Sequence, residues 1–111
     1  MSNELVSDAE VERALDYLRD NAAELGRAKR DAVKMDHMLK ATRAMAMKLS
    51  GETSIGAQER EALCSEQYTD AIDRAADAAG KYEEMRALRE AASLKIEAWR
   101  TASSNYRAMK I

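Results

Sequence analysis

The chain has no proline and no phenylalanine, and it carries only four glycines, one cysteine and one histidine among 111 residues. Each scarcity excludes something. Without proline, and with glycine confined to four positions, the punctuation that a many-stranded or loop-rich domain needs is missing. A single Cys64 cannot form an internal disulfide, so the chain carries no sign of a bridged, secreted scaffold. One histidine and one cysteine, 27 positions apart, cannot build a conventional zinc site on their own. No apolar run approaches the length of a membrane span, and the start Met1-Ser-Asn-Glu-Leu-Val-Ser-Asp8 lacks the basic and apolar regions of a signal peptide. A cytoplasmic protein without a membrane anchor is the expectation.

What remains is rich in alanine and charge. Of the 111 residues 34% are charged, the formal net charge is −2, and alanine is frequent throughout. That composition belongs to long helices and coiled coils rather than to a mixed α/β domain. The charge is segregated into four alternating blocks. Residues 1–26 carry seven acids and two bases, 27–51 two acids and seven bases, 52–84 nine acids and three bases, and 85–111 two acids and six bases. If the chain turns at its one cluster of breakers, Ser50-Gly51-Glu52-Thr53-Ser54-Ile55-Gly56, the first block faces the last and the two middle blocks face each other. An antiparallel hairpin satisfies both pairings.

The hydrophobic period agrees. Ser7 followed by Glu10 is a capping-box pattern that starts a helix near Asp8. Val11, Leu18, Leu25, Ala32, Leu39 and Ala46 then recur every seventh residue, with Leu15, Ala22, Ala28, Met35, Thr42 and Leu49 between them. A second series runs through Cys64, Ala71, Ala78, Met85, Ala92, Trp99 and Tyr106, flanked by Tyr68, Ala75, Tyr82, Leu88 and Ile96. The expected fold is all-α: a single domain over 1–111, with one helix over about 8–49, a turn over 50–56 and one helix over about 57–107. Gly51 is expected as a helix C-cap, Gly56 as a loop joint and Ser54 as an N-cap, while the second helix is expected to run on through Gly80, with a local bend or frayed turn there as the alternative. Facing blocks suggest the pairs Lys48–Glu59, Lys34–Asp73, Arg30–Asp77 and Glu12–Lys95. The apolar stripes are wider than a two-stranded seam needs, since Met38, Met45, Met47, Ala79, Ala91 and Ala102 lie beside it. Two such helices bury little, so hairpins are expected to associate into a homo-oligomeric helical bundle or ring.

Catalysis finds no support in the residues. His37 stands in no Glu-x-x-His or His-x-x-x-His pattern and reads as a structural or solvated side chain; Cys64 reads as a small core residue. Gly51 and Gly56 have the glycine spacing of a phosphate loop, but Ala57 and Gln58 stand where lysine and a hydroxyl residue are required. No enzyme activity, cofactor or metal is expected. Two binding classes stay open. Single-stranded nucleic acid would be met by Arg86, Arg89, Lys95, Arg100, Arg107 and Lys110 neutralising phosphates, with Trp99 and Tyr106 stacking on bases; the competing use of these aromatics is as heptad core. Helix 1 adds Arg27, Lys29, Arg30, Lys34, Lys40, Arg43 and Lys48. A protein-docking role would use Met35, Met38 and Met45, because methionine adapts to varied partners, and the tail from Thr101 to Ile111 would be ordered by a partner.

The run Lys40-Ala-Thr-Arg-Ala-Met-Ala-Met-Lys-Leu-Ser-Gly51, followed by an acidic helix and then a basic, aromatic-containing helix, resembles the layout of the UvsY-type phage recombination mediators over residues 34–110. The resemblance rests on the Leu-Ser-Gly junction and the order of charge. It implies a small oligomeric helical protein that binds single-stranded DNA and helps to load a recombinase. It maps the basic and aromatic pattern onto Trp99, Arg100, Tyr106, Arg107 and Lys110. The rival expectation is a protein-interaction module, an adaptor or inhibitor, with no affinity for nucleic acid.

Overall fold

The computed structural model describes residues 6–109, and among these every regular element is helical: α1 Asp8–Leu49, α2 Ile55–Leu63 and α3 Glu66–Met109. The all-α class and the packing of two long helices on one another agree with the sequence. The chain divides into two compact units. One is built from the chain up to Leu25 together with the chain from Glu84 onward, the other from Gly26–Glu83.

The helix ends follow local chemistry. Ser7 Oγ accepts the Glu10 backbone N–H at 3.2 Å and so satisfies one of the free donors at the start of α1. At the other end Gly51 adopts φ +77, the left-handed conformation that closes a helix and that only glycine enters without cost. Ser54 caps α2 by accepting from the Ala57 N–H. Gly56, expected in the loop, lies inside the first turn of α2. The larger departure is the interruption at Cys64-Ser65. The single second helix expected from about 57 is in fact two, because Ser65 acts as a fresh N-cap. Its Oγ accepts the Tyr68 N–H at 3.2 Å and donates to the Ala62 carbonyl at 2.7 Å, which ends α2 and starts α3. Through Gly80, by contrast, α3 is continuous.

The buried seam keeps the seven-residue period. On α1 it runs through Val11, Ala14, Leu18, Asn21, Leu25, Ala28, Ala32, Met35, Leu39, Thr42 and Ala46, spaced alternately three and four apart. Ala14 takes the place expected for Leu15, and Asn21 that of Ala22: Ala14 is 5% exposed whereas Leu15 is 52% exposed. On α3 the seam is Tyr68, Ala71, Ala75, Ala78, Tyr82, Met85, Ala92, Ile96 and Trp99, with Arg89 at the intervening position and Leu88 exposed beside it. Cys64 and Tyr106 are exposed instead of belonging to the core.

Within the Gly26–Glu83 unit, α1 and α3 run antiparallel. Lys29 Nζ lies 5.7 Å from the centroid of the Tyr82 ring, and nearer the connection Arg43 pairs with Glu59 of α2 at 3.8 Å. In the other unit the Trp99 indole N–H donates to Asp8 Oδ1 at 2.8 Å. Of the seven buried apolar side chains among the described residues, five are alanines, the others being Val11 and Met85. A buried methyl contributes only about 0.8 kcal/mol, so this core is thin.

Two glycines test the backbone argument in opposite directions. A Cβ at Gly80 meets nothing within 4 Å and the residue is mid-helix, so Gly80→Ala is expected to stabilise the protein by about 1 kcal/mol. Gly51→Ala forces a side chain into the left-handed region and is expected to destabilise by about 1 kcal/mol. Urea unfolding of both variants measures the difference; equal midpoints would contradict the assigned roles.

Candidate nucleic-acid interface

The C-terminal part of α3 carries the basic residues singled out above. With Met85 and Ala92 in the seam, Arg86, Arg100 and Arg107 all fall on the same edge of the helix, one residue past the seam and separated by multiples of seven. Along the axis that places Arg100 about 21 Å from Arg86 and about 10 Å from Arg107. Lys95 lies on the opposite edge of the seam and is exposed, as is Arg89. Lys110 lies outside the described residues.

Three of these side chains are brought together. Trp99, Arg100 and Arg107 line one shallow groove of about 540 Å³, with Glu97, Ser104 and Asn105 completing much of its wall. The lining pairs guanidinium groups with hydroxyl and amide groups, a combination that suits phosphate oxygens. Arg100 Nη1 is held 3.2 Å from Glu97 Oε1, an exposed pair on the same helix that contributes under about 1 kcal/mol and yields readily to a stronger anion. Trp99 is half-buried and its N–H is engaged by Asp8, so the indole serves the packing of the two helices. Tyr106, 59% exposed, is the accessible aromatic next to Arg107.

Two acids of the first block are engaged within their own helix. Asp16 and Asp20 both engage Arg19 at 3.1 Å, and the Arg19 pKa is raised, first by the hydrogen bond to Asp20 and then by the charges of Asp20 and Asp16. Lys40 likewise bonds Asp36 one turn away at 3.5 Å. Among the described residues Lys95 and Arg107 have no ion pair within 4.0 Å, and the expected pairs Glu12–Lys95, Lys34–Asp73 and Arg30–Asp77 do not form. Glu59 pairs with Arg43 rather than Lys48. The physical reason lies in the seam phase. Arg30, Lys34, Asp73 and Asp77 occupy heptad positions that point away from the neighbouring helix, beyond each other's reach.

Neither His37 nor Cys64 is part of a constellation. Both are exposed, and among the described residues no three His, Cys, Asp or Glu side chains cluster as metal ligands do. No described helix is long and apolar enough to cross a membrane. No family model, no curated protein and no solved structure matches the chain.

Proposed function

We propose that the chain is a non-enzymatic, self-associating helical protein of the cytoplasm that binds single-stranded DNA, as an accessory of recombination or replication of the phage type. The observation that supports this most directly is the edge of α3 bearing Arg86, Arg100 and Arg107. Two of these arginines line a groove with Ser104 and Asn105, and Tyr106 is exposed alongside. A row of guanidinium groups along a helix tracks a phosphate backbone, and an accessible ring stacks on any base, so affinity without strong sequence preference follows. A recombinase or another DNA-processing protein is the partner this role implies.

Binding of a fluorescent oligonucleotide is the test. Affinity should fall steeply as salt rises, because each neutralised phosphate releases counterions. Trp99 provides a second readout. Its half-buried, hydrogen-bonded indole is expected to change emission little on binding, leaving Tyr106→Ala to report stacking by a loss of affinity. No detectable complex at about 50 mM salt would end the DNA reading.

A second reading, a protein-interaction module, draws on a different surface. Met38, Ala41, Met45 and Leu49 are spaced three and four apart on α1 and all are exposed, Met38 at 49%, Met45 at 54% and Leu49 at 75%. An adaptor or inhibitor would dock there through an adaptable apolar strip.

A further inference from the structure

Within the Gly26–Glu83 unit the two long helices carry opposite charge on the faces that point away from each other. Arg27, Arg30 and Lys34 occupy consecutive outward heptad positions of α1, and Glu66, Asp70, Asp73 and Asp77 occupy those of α3; all seven are exposed. Among the described residues none of the seven is in an ion pair within 4.0 Å. Within one chain these stripes cannot meet, because the seam lies between them. Matching stripes of this length, about 10 Å and about 16 Å along the axis, are complementary only to another molecule carrying the opposite stripe.

We infer that this molecule is a second copy of the same chain, its basic outer face of α1 laid against the acidic outer face of α3 of its neighbour. A copy displaced sideways in the antiparallel register that Lys29 over Tyr82 sets presents Lys34 level with Asp77, and a further slide of about 6 Å along the axis brings Arg30 level with Asp77 and Lys34 level with Asp73. Because the contact joins two different faces, it is heterologous. Repetition closes a ring or extends a row.

This inference rests on the self-association in the proposed function, and charge reversal separates the two. One variant carries Arg27→Glu, Arg30→Glu and Lys34→Glu; the other carries Glu66→Lys, Asp70→Lys, Asp73→Lys and Asp77→Lys. Each alone presents like charges on both outer faces and is expected to show monomer mass by light scattering in low salt. An equimolar mixture presents opposite charges and is expected to regain the wild-type assembled mass. Should reversal unfold either chain, shown by loss of helical circular dichroism, Arg30→Gln and Asp73→Asn replace it, each expected to weaken association several-fold. Wild-type protein that is monomeric at all concentrations would overturn self-association and this interface together. Wild-type assembly with no loss in either variant, or loss without recovery on mixing, would overturn the interface alone. If the α1 variant keeps its mass but no longer binds the oligonucleotide, the basic stripe belongs to nucleic acid and the inference falls.

Discussion

Leu25→Asp and Leu39→Asp are each expected to unfold the protein and to dissociate the proposed assembly in one transition. Both leucines sit in the seam of α1, one in each compact unit, and both are half-buried. Losing a half-buried leucine forfeits about 1 kcal/mol of transfer free energy, and an aspartate there puts a charge into the apolar seam. A domain of this size has about 5 kcal/mol to lose, and with five alanines among its seven buried apolar residues this one has little reserve. Leu15→Asp is the control. That leucine lies next to the seam but is 52% exposed, so its replacement should cost less than about 1 kcal/mol. Circular dichroism and light scattering over a concentration series decide the matter, and the wild-type thermal midpoint should rise with concentration because assembly stabilises the folded form. A folded Leu25→Asp protein, or a Leu15→Asp protein as damaged as Leu25→Asp, would refute the assigned seam.

Replacing Arg86, Arg100 and Arg107 together by glutamine is expected to abolish most single-strand binding while leaving helix content unchanged. All three are exposed on one edge of α3 and none belongs to the seam. Each phosphate contact contributes about 0.7 to the slope of log affinity against log salt for single strands, so the triple variant should lose about 2 units of slope. Arg19→Gln, which removes a cation already bound to Asp16 and Asp20, is the matched control and should leave the slope unchanged. A triple variant with the wild-type slope would place the nucleic-acid contact elsewhere. If neither protein bound DNA, the exposed methionine strip of α1 would become the principal surface.

The reach of the sequence shows in particular residues. Ser7, Gly51 and Ser54 act through side chains or backbone angles that are properties of the residue itself, and each stands in the structure where the sequence placed it. The interruption at Cys64-Ser65 carries no glycine or proline to announce it. A serine followed by an acid, Ser65-Glu66, was the available signal, and it is weak because serine also tolerates helix interiors. The candidate interface was legible as a list of basic residues. That Arg100 and Arg107 share a groove while Trp99 is occupied by Asp8 was not, because the second fact depends on the start of α1 lying beside the end of α3.

By itself the sequence determined that the chain is helical, where α1 begins and ends, and that its apolar residues recur every seventh position, since capping and periodicity are set by neighbours a few residues apart. Tertiary structure decided the phase. A seven-residue repeat is satisfied equally by Ala14 or by Leu15, and composition favours the larger side chain, but close approach of the helices selects the alanine and turns the leucine outward. Arg30, Lys34, Asp73 and Asp77 occupy outward heptad positions beside that seam, so charge blocks matched along the chain do not pair side chain to side chain within it.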